Sequence, residues 1–236
     1  MKIAMKTSGR ILLGLIVLAH YFSALGQEIS TPYIKHDTYI VGKRLISKQA
    51  IERTNYSNYD FMYLMTGPKW KKTDFDASAS QIGKDMINPH HYPKGDSGES
   101  LVPYLIRKAG EAGTKVMYCV GIEKFNPGKD KSTFYTVAED GKKRSRFART
   151  VVAYMKKYNM DGIDIDWEHD VDLNLHAALM AGIRQELDRL QKKNGRRYYL
   201  TTAMHTSLPF TSETVKKLIA QVDWVNFMTY DMGGGR

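Results

Sequence analysis

The sequence predicts an α/β fold in which parallel strands alternate with helices. Six short segments rich in apolar, β-branched and aromatic residues have the length of buried strands. Helical patterns of apolar residues separate the last five of these segments. A strand that returns to its sheet through a helix runs parallel to its predecessor. A doubly wound sheet and a (β/α)8 barrel both fit this rhythm.

The individual elements are predicted from these patterns in chain order. The strands are expected near residues 38, 61, 115, 162, 198 and 222. The helices are expected over residues 101–112, 146–158, 173–193 and 212–220. Ser212 is predicted as the N-cap of the last helix, and Gly113 and Gly195 are predicted to end the first and third. Residues 70–100 and 122–140 are predicted as loops, each with room for a short helix.

Residues 1–26 are predicted to be a secretory signal peptide, which leaves a single domain over residues 27–236. Three cations precede the apolar segment Ile11–Ala19, and Ala24-Leu25-Gly26 has the small-x-small pattern of a cleavage site. The apolar segment is too short for a comfortable membrane span. We therefore expect a secreted protein, periplasmic or extracellular, without stable membrane insertion after cleavage. An uncleaved N-terminal anchor is the alternative.

Sequence motifs and cysteine content argue against a nucleic-acid-binding protein and against a disulfide-stabilised one. The formal net charge is +10, but no basic helix or aromatic-basic motif of the nucleic-acid-binding kind is present, so no nucleic-acid partner is predicted. The single cysteine, Cys119, excludes an internal disulfide. Stability must therefore come from the packed core.

The most informative segment is Asp161–Glu168, with the sequence DGIDIDWE. Its carboxylates Asp164, Asp166 and Glu168 alternate with two isoleucines and Trp167. On a strand this alternation places the acids on one face and the apolar side chains on the other. Like charges a few ångströms apart do not all ionise cheaply, so at least one proton is retained near neutral pH. We expect Glu168 to hold that proton, as a general acid requires.

Other interpretations of the acidic run remain to be weighed. A solvated acidic edge strand is one, although the opposite face is strongly apolar. A calcium loop of the EF-hand kind fails, because Gly162 stands at the second position of the run and not after the third acid. A magnesium site built from Asp164 and Asp166 stays open.

The run resembles the DGxDxDxE signature of glycoside hydrolase family 18, the chitinases and their relatives. The resemblance includes the tryptophan that many family chitinases carry before the glutamate. It favours the TIM barrel over the doubly wound sheet and places the signature on the fourth strand, where the count of predicted strands also places it. A (β/α)8 barrel needs eight strands. The 236 residues are therefore expected to form the N-terminal part of a catalytic domain, ending after the sixth strand.

The resemblance implies a hydrolase that cleaves β-1,4 N-acetylglucosamine linkages in chitin or chitooligosaccharides. An endo-β-N-acetylglucosaminidase acting on N-glycans and a non-catalytic sugar-binding protein on the same fold are the alternatives. The family uses substrate-assisted retaining catalysis, in which the 2-acetamido carbonyl of the substrate is the nucleophile. No metal and no organic cofactor are therefore predicted.

The resemblance also implies roles for the acids. Glu168 is expected to act first as general acid and then as base for water. Asp166 is expected to orient the acetamide N–H and stabilise the positive charge, and Asp164 to tune Asp166. Asp161 at the base of the strand is expected to be structural, and Trp167 to pack behind it.

The segment Met228-Thr229-Tyr230-Asp231 resembles the family's MxYD motif. The resemblance implies that Tyr230 hydrogen-bonds the acetamido group and that Asp231 and Met228 bind the sugar. Met204 at the end of the fifth strand and Trp70 past the second are weaker candidates for substrate binding.

Two departures from the family pattern are visible. Cys119-Val120-Gly121-Ile122 stands where the family often has SxGG, so only Gly121 matches. The eighth-strand tryptophan that usually forms the floor of the sugar subsite has no counterpart in this sequence.

Overall fold

Six parallel strands form one sheet in which the strand order follows the chain. The computed structural model describes residues 38–41, 48–65, 101–121 and 131–229, all within the unit His36–Arg236. The strands are β1 Thr38–Val41, β2 Phe61–Met65, β3 Lys115–Gly121, β4 Gly162–Asp166, β5 Tyr199–His205 and β6 Trp224–Met228. Each pairs in parallel with the next. The predicted parallel α/β architecture is confirmed.

The helices pack on one side of this sheet and connect its strands. They are α1 Lys48–Arg53, α2 Leu101–Glu111, α3 Thr133–Ala138, α4 Gly141–Lys157, α5 Leu173–Asn194 and α6 Ser212–Ile219. The main core lies between helices and sheet, where Ile163 and Ile165 of β4 join Leu179 and Ile183 of α5. Strands buried on both faces explain why the predicted strand segments are so apolar.

The sheet curves strongly, as a barrel wall does. The Trp224 indole N–H donates to the Tyr63 hydroxyl at 3.1 Å, although β6 and β2 are four positions apart in the sheet. In a flat sheet those strands would be ~19 Å apart. The Phe61 ring also lies 5.1 Å from the Tyr199 ring and 4.7 Å from the Trp224 ring, centroid to centroid. The sheet is therefore part of a (β/α) barrel, with these aromatic side chains in its interior.

Capping side chains decide where two of the helices begin. The Asp140 carboxylate accepts from the backbone N–H groups of Lys142 and Lys143, so α4 begins at Gly141 and not near residue 146 as predicted. The predicted start lies too far along the chain because the first turn of α4 carries cations, and the apolar periodicity begins only at Phe147.

The predicted N-cap of α6 was wrong by one residue. The Thr211 hydroxyl accepts from the Thr214 N–H at 3.2 Å, so Thr211 is the cap and Ser212 is the first helical residue. Both hydroxyls are chemically suited to the role. The extended backbone of Thr211 selects it. Gly195 ends α5 at φ +72, as predicted, and a short helix, α3, lies within the predicted loop 122–140.

Several predictions fall outside the described residues. These are the signal peptide over residues 1–26, the loop over residues 70–100, and the candidate site residues Trp70, Tyr230 and Asp231. Within the described ranges, no helix has both the length and the apolar character to cross a membrane.

Gly162 at the start of β4 has no room for a side chain. A Cβ there would lie 2.3 Å from the Tyr199 carbonyl oxygen and 2.7 Å from the Met117 sulfur. We predict that Gly162→Ala lowers the free energy of unfolding by about 3 kcal/mol, because a backbone carbonyl of the neighbouring strand cannot move away. Urea denaturation measures the change.

Gly182 of α5 supplies the matched control, because a Cβ there would meet only the Ala148 Cβ, at an ordinary 3.9 Å. Gly182→Ala is expected to raise the free energy of unfolding by about 0.5–1 kcal/mol through helix propensity. Equal effects of the two substitutions would contradict the close approach at Gly162.

Candidate functional site

The alternation along β4 divides its side chains between the two faces of the sheet as predicted. Ile163, Ile165 and Trp167 belong to the main core on the helix side. Asp164 and Asp166 face the interior of the curved sheet, and Asp164 lies in register with Cys119 of β3 and Thr201 of β5. All five residues of β4 are buried. The acids therefore lie inside the fold, which excludes the solvated acidic edge.

Asp164 has no exposed surface and accepts hydrogen bonds from three strands. The Thr201 hydroxyl donates to it at 2.6 Å, the Cys119 thiol at 3.1 Å and the Asn226 side-chain amide at 3.5 Å. Three donors around one carboxyl group are the surroundings of an ionised carboxylate. Burial, followed by the charges of Asp164 and Asp166, raises the pKa of the Cys119 thiol well above its usual value, so the thiol keeps the proton that it donates.

Asp166 retains a proton near neutral pH. Burial, the charges of Glu168 and Asp164, and a hydrogen bond with the Glu168 side chain together raise its pKa from 3.8 to about 7. The retained proton predicted for the acidic run therefore lies on Asp166, whereas the sequence had indicated Glu168. Because the two carboxyl groups are hydrogen-bonded, the proton belongs to the pair, and either oxygen atom can carry it.

One oxygen of Asp166 is available to a ligand. Asp166 Oδ1 is buried and has no hydrogen-bond partner within the part of the chain that the structure describes. An unsatisfied buried carboxyl oxygen is costly, which favours a further hydrogen-bond donor at this position. Glu168 is half-buried and stands two residues after the end of β4, at the carboxyl end of the strands. Barrels of this kind bind ligands at that end.

Behind the acids, Trp167 is held by its neighbours. Its indole N–H donates to the His169 carbonyl oxygen at 2.5 Å and lies 3.4 Å from Asp170 Oδ1. The rings of Phe134 and His176 lie nearly parallel to the indole, with centroids at 5.8 Å and 5.3 Å. Trp167 packs behind the strand, as predicted.

Asp161 ties the base of β4 to its neighbours. Its carboxylate accepts from the Val116 N–H at 2.8 Å and from the Arg196 guanidinium at 2.8 Å. These contacts lie at the opposite end of the strand from Glu168, which agrees with the structural role expected of Asp161.

The two methionines of the predicted site lie on different faces. Met228 is buried and stands two residues after Asn226, which contacts Asp164, so both side chains lie on the interior face of β6. Met204 stands two residues after Thr202, whose hydroxyl contacts His176, and both side chains lie on the helix side of β5. Thr201 lies on the opposite face. The structure does not bring Met204 to the acids. Its prediction rested on nearness to the strand end and ignored the period of two.

Sequence reasoning missed the residues that surround Asp164. Cys119, Thr201 and Asn226 stand in three different strands, and no motif connects them along the chain. Their positions could have been found by aligning the predicted strands in register with the acidic strand and asking which side chains share its face.

The described residues contain no group of three or more histidine, cysteine, aspartate or glutamate side chains that could hold a metal ion. A magnesium ion is held by one or two carboxylates at a position that also has room for several bound waters. Asp164 instead accepts from a hydroxyl, a thiol and an amide. The donor set does not fit the magnesium interpretation.

Comparisons with known proteins agree with this geometry. The family model described as glycosyl hydrolases family 18 matches residues 105–236. Chitinase A1 of Niallia circulans is 36% identical over 114 residues, which are 43% of this chain and 16% of that protein. Chitinase B of Serratia marcescens is 30% identical over 232 residues, which are 92% of this chain and 42% of that protein. The chain thus spans less than half the length of either relative.

A solved structure shows the same fold. The multi-modular chitinase ChiW from Paenibacillus sp. str. FPU-7 superposes with a TM-score of 0.62 and 22% identity. The superposition covers 84% of this chain and 25% of that one. The (β/α) barrel is the fold of both.

The raised pKa of Asp166 makes the stability of the protein depend on pH. The folded state holds a proton that the unfolded chain releases above pH 3.8, so the free energy of unfolding falls as pH rises from about 4 to about 7. We predict that Asp166→Asn removes this loss. At pH 8 the variant should be more stable than the parent by ~3–4 kcal/mol, and at pH 4 the two should be nearly equal.

Urea denaturation at the two pH values measures this difference. Asp188→Asn is the control, because that carboxylate lies on the exposed side of α5, with 63% of its side-chain surface exposed. It should show no comparable gain at pH 8. A gain for Asp166→Asn that is equal at both pH values would contradict a retained proton.

Proposed function

Because the chain belongs to glycosyl hydrolases family 18, we propose that the whole protein hydrolyses β-1,4 linkages between N-acetylglucosamine units of chitin or chitooligosaccharides. The names of the two relatives, Chitinase A1 and Chitinase B, support this substrate class. The observation that carries the proposal is the protonated, partly unsatisfied carboxyl group of Asp166 beside Glu168. A secreted location, indicated by residues 1–26, suits a polymeric substrate that cannot enter a cell.

In the first step, the acetamido carbonyl oxygen of the substrate attacks the anomeric carbon. The bond from that carbon to the glycosidic oxygen breaks, and Glu168 gives its proton to the departing oxygen. A cyclic oxazolinium ion forms, so no enzyme carboxylate needs to lie across the sugar ring.

Asp166 prepares this step by accepting a hydrogen bond from the acetamide N–H at Oδ1, which has no partner among the described residues. Its shared proton then moves to Glu168, which becomes the acid, while Asp166 becomes a carboxylate beside the positive charge of the oxazolinium ion. Burial, together with the charges of Glu168 and Asp164, keeps one proton on the Asp166–Glu168 pair in the free site. One proton therefore serves both residues in turn.

In the second step, water attacks the anomeric carbon and opens the ring of the oxazolinium ion. Glu168, now a carboxylate, accepts the proton of that water, which restores the proton that the Asp166–Glu168 pair shares in the free site. Two displacements at one carbon retain the anomeric configuration. Tyr230, Asp231 and Met228 belong to this proposal as substrate-binding residues, with the Tyr230 hydroxyl on the acetamido group.

Turnover of a chitooligosaccharide by the full-length protein tests the acid. We predict that Glu168→Gln lowers kcat by about 10²–10⁴-fold, because a side-chain amide cannot act as a general acid. Binding of the oligosaccharide should persist. Asp188→Asn on the exposed side of α5 should hydrolyse like the parent. Binding without turnover by both parent and Glu168→Gln would instead indicate a sugar-binding protein.

A high-mannose glycopeptide offered in parallel tests the substrate. The proposal expects cleavage of the chitooligosaccharide, and cleavage of the glycopeptide alone would overturn it in favour of an endo-β-N-acetylglucosaminidase. Proton NMR of the first product tests the stereochemistry. Initial release of the β-anomer is expected for a retaining reaction, and initial release of the α-anomer would exclude substrate-assisted attack.

A further inference from the structure

We propose that His176 is a positioning residue, whose neutral imidazole fixes the end of β4 from which Asp166 and Glu168 extend. The assignment rests on the function proposed above, because it gives the imidazole a part in holding that site. His176 lies on α5, has no exposed surface and takes part in neither chemical step. From the helix side it contacts Thr202 of β5 and Trp167, which directly follows β4.

The first contact reaches the backbone of β4 through Thr202 of β5. The Thr202 hydroxyl donates to the Ile165 carbonyl oxygen at 2.7 Å and lies 3.0 Å from His176 Nε2. A hydroxyl has one proton, and the Ile165 carbonyl takes it, so Nε2 must carry the hydrogen and donate to Thr202. The Ala203 carbonyl oxygen, 3.3 Å from the Thr202 hydroxyl, is a second acceptor for the same proton. Whichever carbonyl accepts it, the hydroxyl has no proton left for His176, so Nε2 remains the donor.

Ile165 is the residue between Asp164 and Asp166. The hydrogen bonds from His176 to Thr202 and from Thr202 to Ile165 therefore join helix α5 to the backbone between the two buried acids. Both bonds lie among buried atoms, where they are stronger than in water.

The second contact holds the backbone around Glu168. The His176 ring lies over the Trp167 indole, with centroids 5.3 Å apart and planes inclined by 27°. The indole N–H donates to the carbonyl oxygen of His169. Trp167 and His169 flank Glu168, so this bond closes a small loop with Glu168 inside it. A shift of the indole would move the backbone that carries the acid.

Packing alone does not account for a histidine at this position. Its Nδ1 atom is buried without a hydrogen-bond partner within the described part of the chain, and an apolar ring would fill the space without that unsatisfied atom. Burial lowers the pKa of His176 to about 4, which keeps the ring neutral at ordinary pH. What the imidazole adds over an apolar ring is the Nε2–H donor.

Three variants separate the donor from the ring. His176→Phe keeps a ring beside Trp167 and removes the donor. Thr202→Val keeps the shape of the side chain and removes the hydroxyl that links the two bonds. His176→Gln keeps an N–H that can reach Thr202. Leu187→Ala is the control, because Leu187 is buried on the same face of α5 three turns later, about 16 Å along the helix from His176.

Two measurements on the full-length protein test the proposal. The first is kcat and KM on a chitooligosaccharide. The second is hydrogen exchange of the amides of residues 163–168, which does not need turnover. A displacement of about 1 Å at a catalytic group costs about 10²-fold in rate. We expect His176→Phe and Thr202→Val to lower kcat about 10–100-fold with KM within about twofold, and to speed the exchange of these amides.

His176→Gln should recover most of kcat. Leu187→Ala should lower global stability with kcat unchanged, and its faster exchange should follow the global loss in all core strands and not concentrate in residues 163–168. Folded Thr202→Val with the kcat and exchange of the parent would overturn the proposal, even if His176→Phe does not fold. A parent that hydrolyses nothing overturns the proposed function, while the exchange rates still decide whether His176 holds β4.

Discussion

Asp164 is a carboxylate with no exposed surface, and its burial is the constraint on which the candidate site depends. A buried charge persists only where donors replace the water that it has lost. Here Cys119 of β3 and Thr201 of β5 reach Asp164 as its register partners, and the curvature of the sheet brings in Asn226 of β6, two strands away. The charge held in this way contributes to the raised pKa of Asp166. Burial and the charge of Glu168 are the larger causes of that shift, and the charge of Asp164 adds to them.

The curvature depends in turn on the aromatic layer below the acids. Trp224 bonds Tyr63 across the interior, and the rings of Phe61 and Tyr199 pack against the same indole. Large rings at the amino ends of the strands exclude water from beneath Asp164 and leave the carboxyl ends to Asp166 and Glu168. The same strand is fixed from the helix side by Ile163, Ile165 and Trp167. The alternation along β4 therefore places the acids on the interior face and the side chains that pack against the helices on the other.

Stability and the proposed activity are opposed at Asp166. The folded state contains a carboxyl group with one oxygen that receives no hydrogen bond from the described residues, and its pKa is about 7. Both features lower the free energy of unfolding at neutral pH. Such features are typical of functional sites, where a group whose pKa and hydrogen bonding suit the reaction destabilises the folded protein. The many buried apolar residues on the helix side offset this cost.

The sequence by itself determined the parallel α/β order, the two faces of β4 and the acid row, because alternation and apolar periodicity are local properties of the chain. The start of α4 was missed, since it depends on the Asp140 side chain and not on periodicity. Only the tertiary structure decided which acid holds the proton, which side chains surround Asp164, that Met204 lies on the helix side and that His176 reaches β4. Each of these depends on burial or on strand register, and those relate residues that are far apart in the sequence.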